Sequence, residues 1–356
     1  APVGSQTFTA VRGLQSLTCN TTFSLEAVFE IGQLEIYENI EAIPDVEITT
    51  EKLLDGYAPV YLLATEGAAT ASLAGRQNQQ SIFAISYFND LQDSSSGMPI
   101  SQTIISGLVV SNLSYNFPVE GNFTESTTLV GNEKTWLFAA PFTFSGAFTN
   151  NDTPLAIGGS GGVNRRENML FKPHRQTGVS TDSNGALVDQ HCTILPKGNG
   201  GIPGMSSSGV NNKINDEYGA HIQNITVSTN LGRNDIFELG RRKQYFRFIT
   251  FPTEVTCEIQ TINLSGDLVF AVETGVLSDG NNLSSQTIKI ATHEGLRLDL
   301  GTNNKLQSVN CDGASTGGEN SNLTYSYSNN NSLSVKHASD PTLALRPDSI
   351  HLALPN

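Results

Sequence analysis

Charge is scarce in this chain, and so are the residue types that most often carry chemistry. Asp, Glu, Lys and Arg make up only 15% of the 356 residues, against roughly 25% in an ordinary globular domain. The single tryptophan, Trp136, gives little from which to build the aromatic cleft of a glycan-degrading enzyme, which would also need paired carboxylates. No run approaches the roughly 18 apolar residues of a membrane-spanning helix. The first residues, APVGSQTFTAVRG, lack the basic-then-apolar form of a signal peptide, although a mature chain would have lost one. Basic residues number 20 against 34 acidic ones, and a net charge of −14 argues against a protein that grips nucleic-acid phosphates. Cys19, Cys192, Cys257 and Cys311 are scattered without a Cys-x-x-Cys pair, and they read as buried small side chains rather than disulfides. The six histidines show no His-Glu-x-x-His or other metal spacing. His191 beside Cys192 is the one suggestive pair, but neighbours on a strand point to opposite faces. The glycine clusters lack the Lys-Ser/Thr of a phosphate loop and the strand-to-helix setting of a dinucleotide site. No catalytic residue, metal ligand or cofactor is expected.

What the chain does have is Gly, Ser, Thr and Asn, short alternating apolar segments and turn dipeptides such as Asp55-Gly56 and Asp312-Gly313. These say all-β with long loops. Several Asn-x-Ser/Thr triplets, Asn20 and Asn112 among them, are expected by accident in such a composition. The chain also repeats itself. Leu14–Pro44 lies on Ile222–Pro252 at a constant offset of 208, with identities that include Phe29/Phe237, Gly32/Gly240, Tyr37/Tyr245 and Pro44/Pro252. A second anchor sets Ser111–Phe117 on Ser321–Tyr327 at an offset of 210, and Ser81–Tyr87 falls opposite Thr287–His293. The expectation is two tandem β-sandwich or barrel domains, 1–149 and 214–356. Each would carry a short flanking helix, over Leu25–Ile31 capped by Ser24 in the first and around IFELG in the second. Residues 150–213, dense in Gly, Ser and Asn, read as an arm or linker whose apolar islands Met169–Phe171 and Cys192–Leu195 favour docking. Such duplication points to symmetric assembly rather than to a pocket.

The two copies differ in charge. Residues 1–66 carry ten acidic and two basic side chains, whereas 214–270 carry seven acidic and five basic. Arg241, Arg242 and Lys243 stand where the first copy has Gln33, Leu34 and Glu35. Glu35, Glu38, Glu41 and Glu47 read as a solvated or ring-lining face, and with the basic triplet they are the candidate lumen or interdomain residues.

The stretch 13–56, GLQSLTCNTTFSLEAVFEIGQLEIYENIEAIPDVEITTEKLLDG, resembles the N-terminal strand–turn–strand region of bacteriophage tail tube proteins. LDLGTNNKLQSVNCDGASTGGENSNLTYSYSN, near the end, is similar to the later strands of large virion proteins of that kind. The resemblance implies packed antiparallel sheets and six-domain rings stacked into a hollow tube that conducts the viral genome at ejection. With two domains per chain, it implies trimeric, pseudo-hexameric rings. The implied partners are the protein itself, other tail proteins (sheath, terminator, baseplate or tape measure) and viral DNA in transit, with no membrane. The implied location is the virion tail, after assembly in the host cytoplasm. A hub, distal tail or tail-completion protein of the same fold, and a two-domain extracellular or surface-layer adhesin, are the alternatives.

Overall fold

A computed structural model describes residues 11–23, 25–32, 36–41, 43–66, 68, 70–88, 101–137, 169–174, 222–240, 244–262, 287–292, 296–313 and 321–337. Strands dominate, as the alternation requires. In the first half these are β1 (Leu14–Thr22), β2 (Leu25–Phe29), β3 (Ile36–Glu41), β4 (Asp45–Leu53), β5 (Ser81–Tyr87), β6 (Ser101–Pro118), β7 (Thr124–Gly131) and β8 (Glu133–Leu137). Two short helices, α1 (Val60–Ala64) and α2 (Leu73–Arg76), lie between β4 and β5. β9 (Met169–His174) comes from the central segment. The second half holds β10 (Ile222–Asn230), β11 (Arg233–Ile236), β12 (Phe246–Ile249), β13 (Glu254–Ile262), β14 (Thr287–Thr292), β15 (Arg297–Asp299), β16 (Lys305–Asp312), β17 (Asn322–Asn330) and β18 (Ser334–Lys336).

Eight strands form one antiparallel path in the order β1-β4-β7-β6-β10-β13-β17-β16. The first four and the last four run through the same pairings. Cys19 opposes Ile48 on β1/β4, and Val227 opposes Cys257 on β10/β13. Register shifts fall between Leu14 and Ser16 and between Ile222 and Asn224, positions 208 apart. Val110 opposes Leu129 on β6/β7 as Leu306 opposes Tyr327 on β16/β17, and each pair is followed by a shift, to Asn112 and to Ser308. A bulge is a specific local feature, so recurrence of two at matching positions is a stronger correspondence than strand order alone.

The second layer follows the same scheme. The long strand β6 turns out of the main sheet at Gly107, whose φ of 67° a side-chain-bearing residue rarely adopts. Its N-terminal half lies between β5 and β8. In the second half Gly301, at φ 73°, separates β16 from β15, and β15 lies between β14 and β18. One continuous buried cluster joins main-sheet residues such as Ile48, Leu129, Val227 and Tyr327 to second-layer residues such as Ile105, Ile290 and Leu298. Alternation along β4 shows why: Val46, Ile48 and Thr50 face this core, while Asp45, Glu47 and Glu51 face out.

Three expectations need correction. Leu25–Phe29 is not a helical turn. It pairs with β3 as a hairpin, and β11 pairs with β12 in the same way, with Val28 opposite Glu38 and Ile236 opposite Phe246. A helical turn of this length is marginal by itself, and β3 gives Leu25–Phe29 a cross-strand partner instead. Gly32 and Gly240 do take left-handed conformations, φ 91° and 85°, but they punctuate hairpins. The helices that form, α1 and α2, both belong to the first half, and none occurs among the described residues of the second. The anchor at offset 210 also misaligns. Ser111–Phe117 lies on β6 and Ser321–Tyr327 on β17, which occupies the place of β7. Alternation of one SNL-S/T-Y segment resembles that of any neighbouring strand, so similarity there does not mark equivalence. The match of Ser81–Tyr87 to Thr287–His293 does correspond, because β5 and β14 occupy the same place in the second layer. Met169–His174 docks as a strand on the outer edge of β14. Ser24 and Cys192–Leu195 lie outside the described residues.

Candidate functional site: an open sheet face and its edges

The main sheet buries one face and leaves the other open. On the open face β6 presents Ser114 and Asn116, β7 Ser126 and Thr128, β10 Thr226 and Ser228, and β17 Thr324 and Ser326. Hydroxyls pair across strands: Thr49 with Thr128 at 3.5 Å, Ser228 with Thr256 at 2.8 Å, and Thr226 donates to Asn116 Oδ1 at 3.3 Å. Charge enters mainly as carboxylates, Glu47 and Glu51 on β4 and Glu254 and Glu258 on β13. The only basic residue among the described strand positions of this face is Lys305, at the start of β16 and opposite Ser328. Such a surface is hydrated, weakly acidic and without a cationic grip on phosphate.

The predicted residues divide. Glu47 lies on this face. Glu38 and Glu41 are exposed on the β2–β3 hairpin, away from the sheet. Glu35, Arg241, Arg242 and Lys243 lie outside the described residues.

Both hairpins expose apolar side chains at positions 208 apart. Phe29 and Phe237 are 66% and 67% exposed, Ile31 and Leu239 are fully exposed, and Tyr37 and Tyr245 are 67% and 59% exposed. An exposed apolar patch built twice on one chain reads as a contact surface.

The path ends on two different edges, β1 and β16, while the same two places meet inside the chain. β6 pairs with β10, Tyr115 opposite Val227. Arginines peg that internal junction. Arg233 donates from Nε to the Val110 carbonyl at 2.7 Å and from Nη1 to the Gln77 carbonyl at 2.8 Å. Burial lowers the Arg233 pKa to about 10. Arg247, on β12, ion-pairs with Asp45 at 2.5 Å and Asp235 at 2.9 Å. Burial raises the Asp235 carboxyl pKa, while Arg247 opposes that shift.

A second polar group is wholly interior. Glu125, on β7, accepts hydrogen bonds from the Val60 and Tyr61 amides at 2.6 and 3.1 Å and from the Tyr115 hydroxyl at 3.0 Å. It thereby fixes the first turn of α1. Lys52 Nζ, also buried, donates to Asp55 Oδ1 at 2.6 Å and to the Leu53 carbonyl at 2.9 Å. Sequence reasoning missed both, because each sits on a core-facing position of a strand that alternates like its neighbours. The one available signal was parity, since Lys52 and Glu125 share the phase of Ile48 and Leu129.

Among the described residues no group of His, Cys, Asp or Glu could hold a metal ion, and no helix is long and apolar enough to cross a membrane. No protein-family model matches the chain, and no curated protein matches its sequence.

Proposed function

We propose that this chain is a structural virion protein of a bacteriophage tail tube, with two copies of one β unit in each chain. The observation that carries the reading is the internal junction. The unit ending in β6 is joined edge to edge to the unit beginning with β10, and among the described residues the same two kinds of edge, β1 and β16, have no strand partner on their outer side. A head-to-tail contact of this kind either closes into a ring or runs on as a filament. Each exposed strand edge is also an aggregation liability unless it is paired. Ring closure pairs them all.

Three chains of eight strands would close about 24 strands, a barrel about 48 Å across at the backbone for ~4.8 Å spacing and ~40° tilt. That is wide enough to pass a double helix. The hydroxyl and carboxylate face would line it, so DNA would slide rather than bind. The hairpin tips bearing Ile31 and Leu239 would carry the contact between stacked rings, and other tail proteins would continue the stack at its ends.

Electron microscopy of the concentrated protein tests the reading. The expected image is stacked rings with six β units per layer and threefold chemical symmetry. Dispersed monomers at every concentration would overturn it.

A further inference from the structure

The internal junction specifies the register of an external one. Position 227 corresponds to position 19, because β10 and β13, offset by 208 from β1 and by 209 from β4, repeat their pairing and register shift. Position 115 corresponds to position 311, because β16 and β17, offset by 196 from β6 and by 198 from β7, repeat theirs. Val227 and Tyr115 are partners.

Resting on the ring reading above, we propose that β16 of one copy pairs antiparallel with β1 of the next in the register of β6 and β10. That register sets Cys311 of one copy directly opposite Cys19 of its neighbour. In the single chain neither of these cysteines, nor Cys257, is in a disulfide.

Four observations support the pairing. Cys19 opposes buried Ile48, and Cys311 opposes buried Leu323, so both cysteines stand on the core side of the sheet. Directly opposed residues on paired strands share a face, as a thiol pair requires. Val227 and Tyr115 are 1% and 0% exposed, whereas Cys19 is half-buried and Cys311 exposed. The junction positions are thus open where a neighbouring unit is lacking and closed where one is present. The flanking pairs are compatible: Asn20 would meet Asn310, Thr21 would meet Val309 and Thr18 would meet Asp312, with no like charges opposed. Finally, Arg233, the internal peg against the Val110 carbonyl, corresponds to Leu25, which is 61% exposed, and Val110 corresponds to partly buried Leu306. The external junction would exchange an arginine peg for an aliphatic contact.

Opposed residues of an antiparallel pair have Cα atoms about 4.5–5.5 Å apart, inside the roughly 4.4–6.8 Å that a disulfide spans. Within one chain the two cysteines lie on the outer strands of an eight-strand path, seven spacings of ~4.8 Å apart along the sheet, so a link between them must join two chains.

The test uses the full chain, reduced, then assembled and scored by electron microscopy before diamide is added. Two thiols become one disulfide, and the two electrons and two protons they release reduce diamide to its hydrazide. The expected result is covalent oligomers on a non-reducing gel, no larger than three chains for a closed trimer. A linked pair of peptides bearing Cys19 and Cys311 should be found by mass spectrometry. Cys19→Ser and Cys311→Ser should each abolish the link while rings still form. Rings without the Cys19–Cys311 link would overturn the register and leave the tube reading standing. Absence of any oligomer would overturn both.

Discussion

Replacing Glu125 by leucine gives the first half the residue that Leu323 supplies at the corresponding place of the second. Volume is roughly kept, so the effect reads the loss of an acceptor rather than a cavity. Three buried donors would lose their partner, the amides of Val60 and Tyr61 and the hydroxyl of Tyr115. At about 1–3 kcal/mol for each unsatisfied group the gross cost is several kcal/mol, a large part of a typical stability of about 5–15 kcal/mol. Some is returned, because the variant no longer buries a carboxylate. Burial pushes the Glu125 carboxyl above its ordinary 4.5, and the Tyr61 and Val60 amides, Lys52 and the Tyr115 hydroxyl only partly offset that. A carboxyl with a raised folded-state pKa favours folding most below its unfolded value and progressively less as pH rises through the folded one. The deficit of Glu125→Leu should therefore be greatest in acid. It should shrink above pH 4.5 by at most ~1.4 kcal/mol per pH unit, until the raised pKa is passed. Urea unfolding of both dilute proteins across that range measures the difference directly, with other carboxylates cancelling. A deficit that grows with pH, or none at all, would refute the account.

Three other perturbations address the assembly and the internal junction. Ile31→Asp combined with Leu239→Asp should leave single rings intact and abolish stacking, visible by electron microscopy; unchanged tubes would remove the hairpins from the ring-to-ring contact. Arg247→Met leaves Asp45 and Asp235 without their cation, and because Asp45 is 66% exposed the loss should be nearer about 1–3 kcal/mol than the full cost of a stranded buried charge, as read by denaturant midpoint. Glu47→Lys with Glu51→Lys reverses charge on the open face: rings should form as before but retain double-stranded DNA in a salt-sensitive manner, whereas equal retention by wild type would contradict a sliding lumen.

The β class was legible because side-chain parity is a local signal. Alternation over Glu254–Ile262 matches β13, and Pro44 and Pro252 stand just before β4 and β13. The hairpins were read as helical turns because Leu25, Val28 and Phe29 also fit a three-and-four spacing, and a pattern of five residues cannot separate the two periods. Glu47 reads as solvated because it belongs to an acidic cluster, and strand parity sets it outward and Lys52, five residues along the same strand, inward. The buried carboxylate at Glu125 was illegible for a different reason: its partners, Val60, Tyr61 and Tyr115, come together only when β7 meets β6 and α1.

The correspondence between the halves is best preserved where the sheet has least freedom to change. A one-residue slip on any strand would turn its core face outward, so the register shifts at Leu14/Ser16 and Ile222/Asn224 persist although few side chains on those strands are shared. The pegs are under no such constraint. Arg233 and Arg247 hold the internal junction, where Leu25 and Asn39 occupy the corresponding places of the first half. A junction within one chain is held at high effective concentration by its own connection and forms once. On the ring reading proposed above, one between chains would remain open until assembly and then close in a single register. On that reading, different side chains on a common backbone frame would meet both demands, a physical reason for two unequal units in one chain rather than a ring of six equal ones.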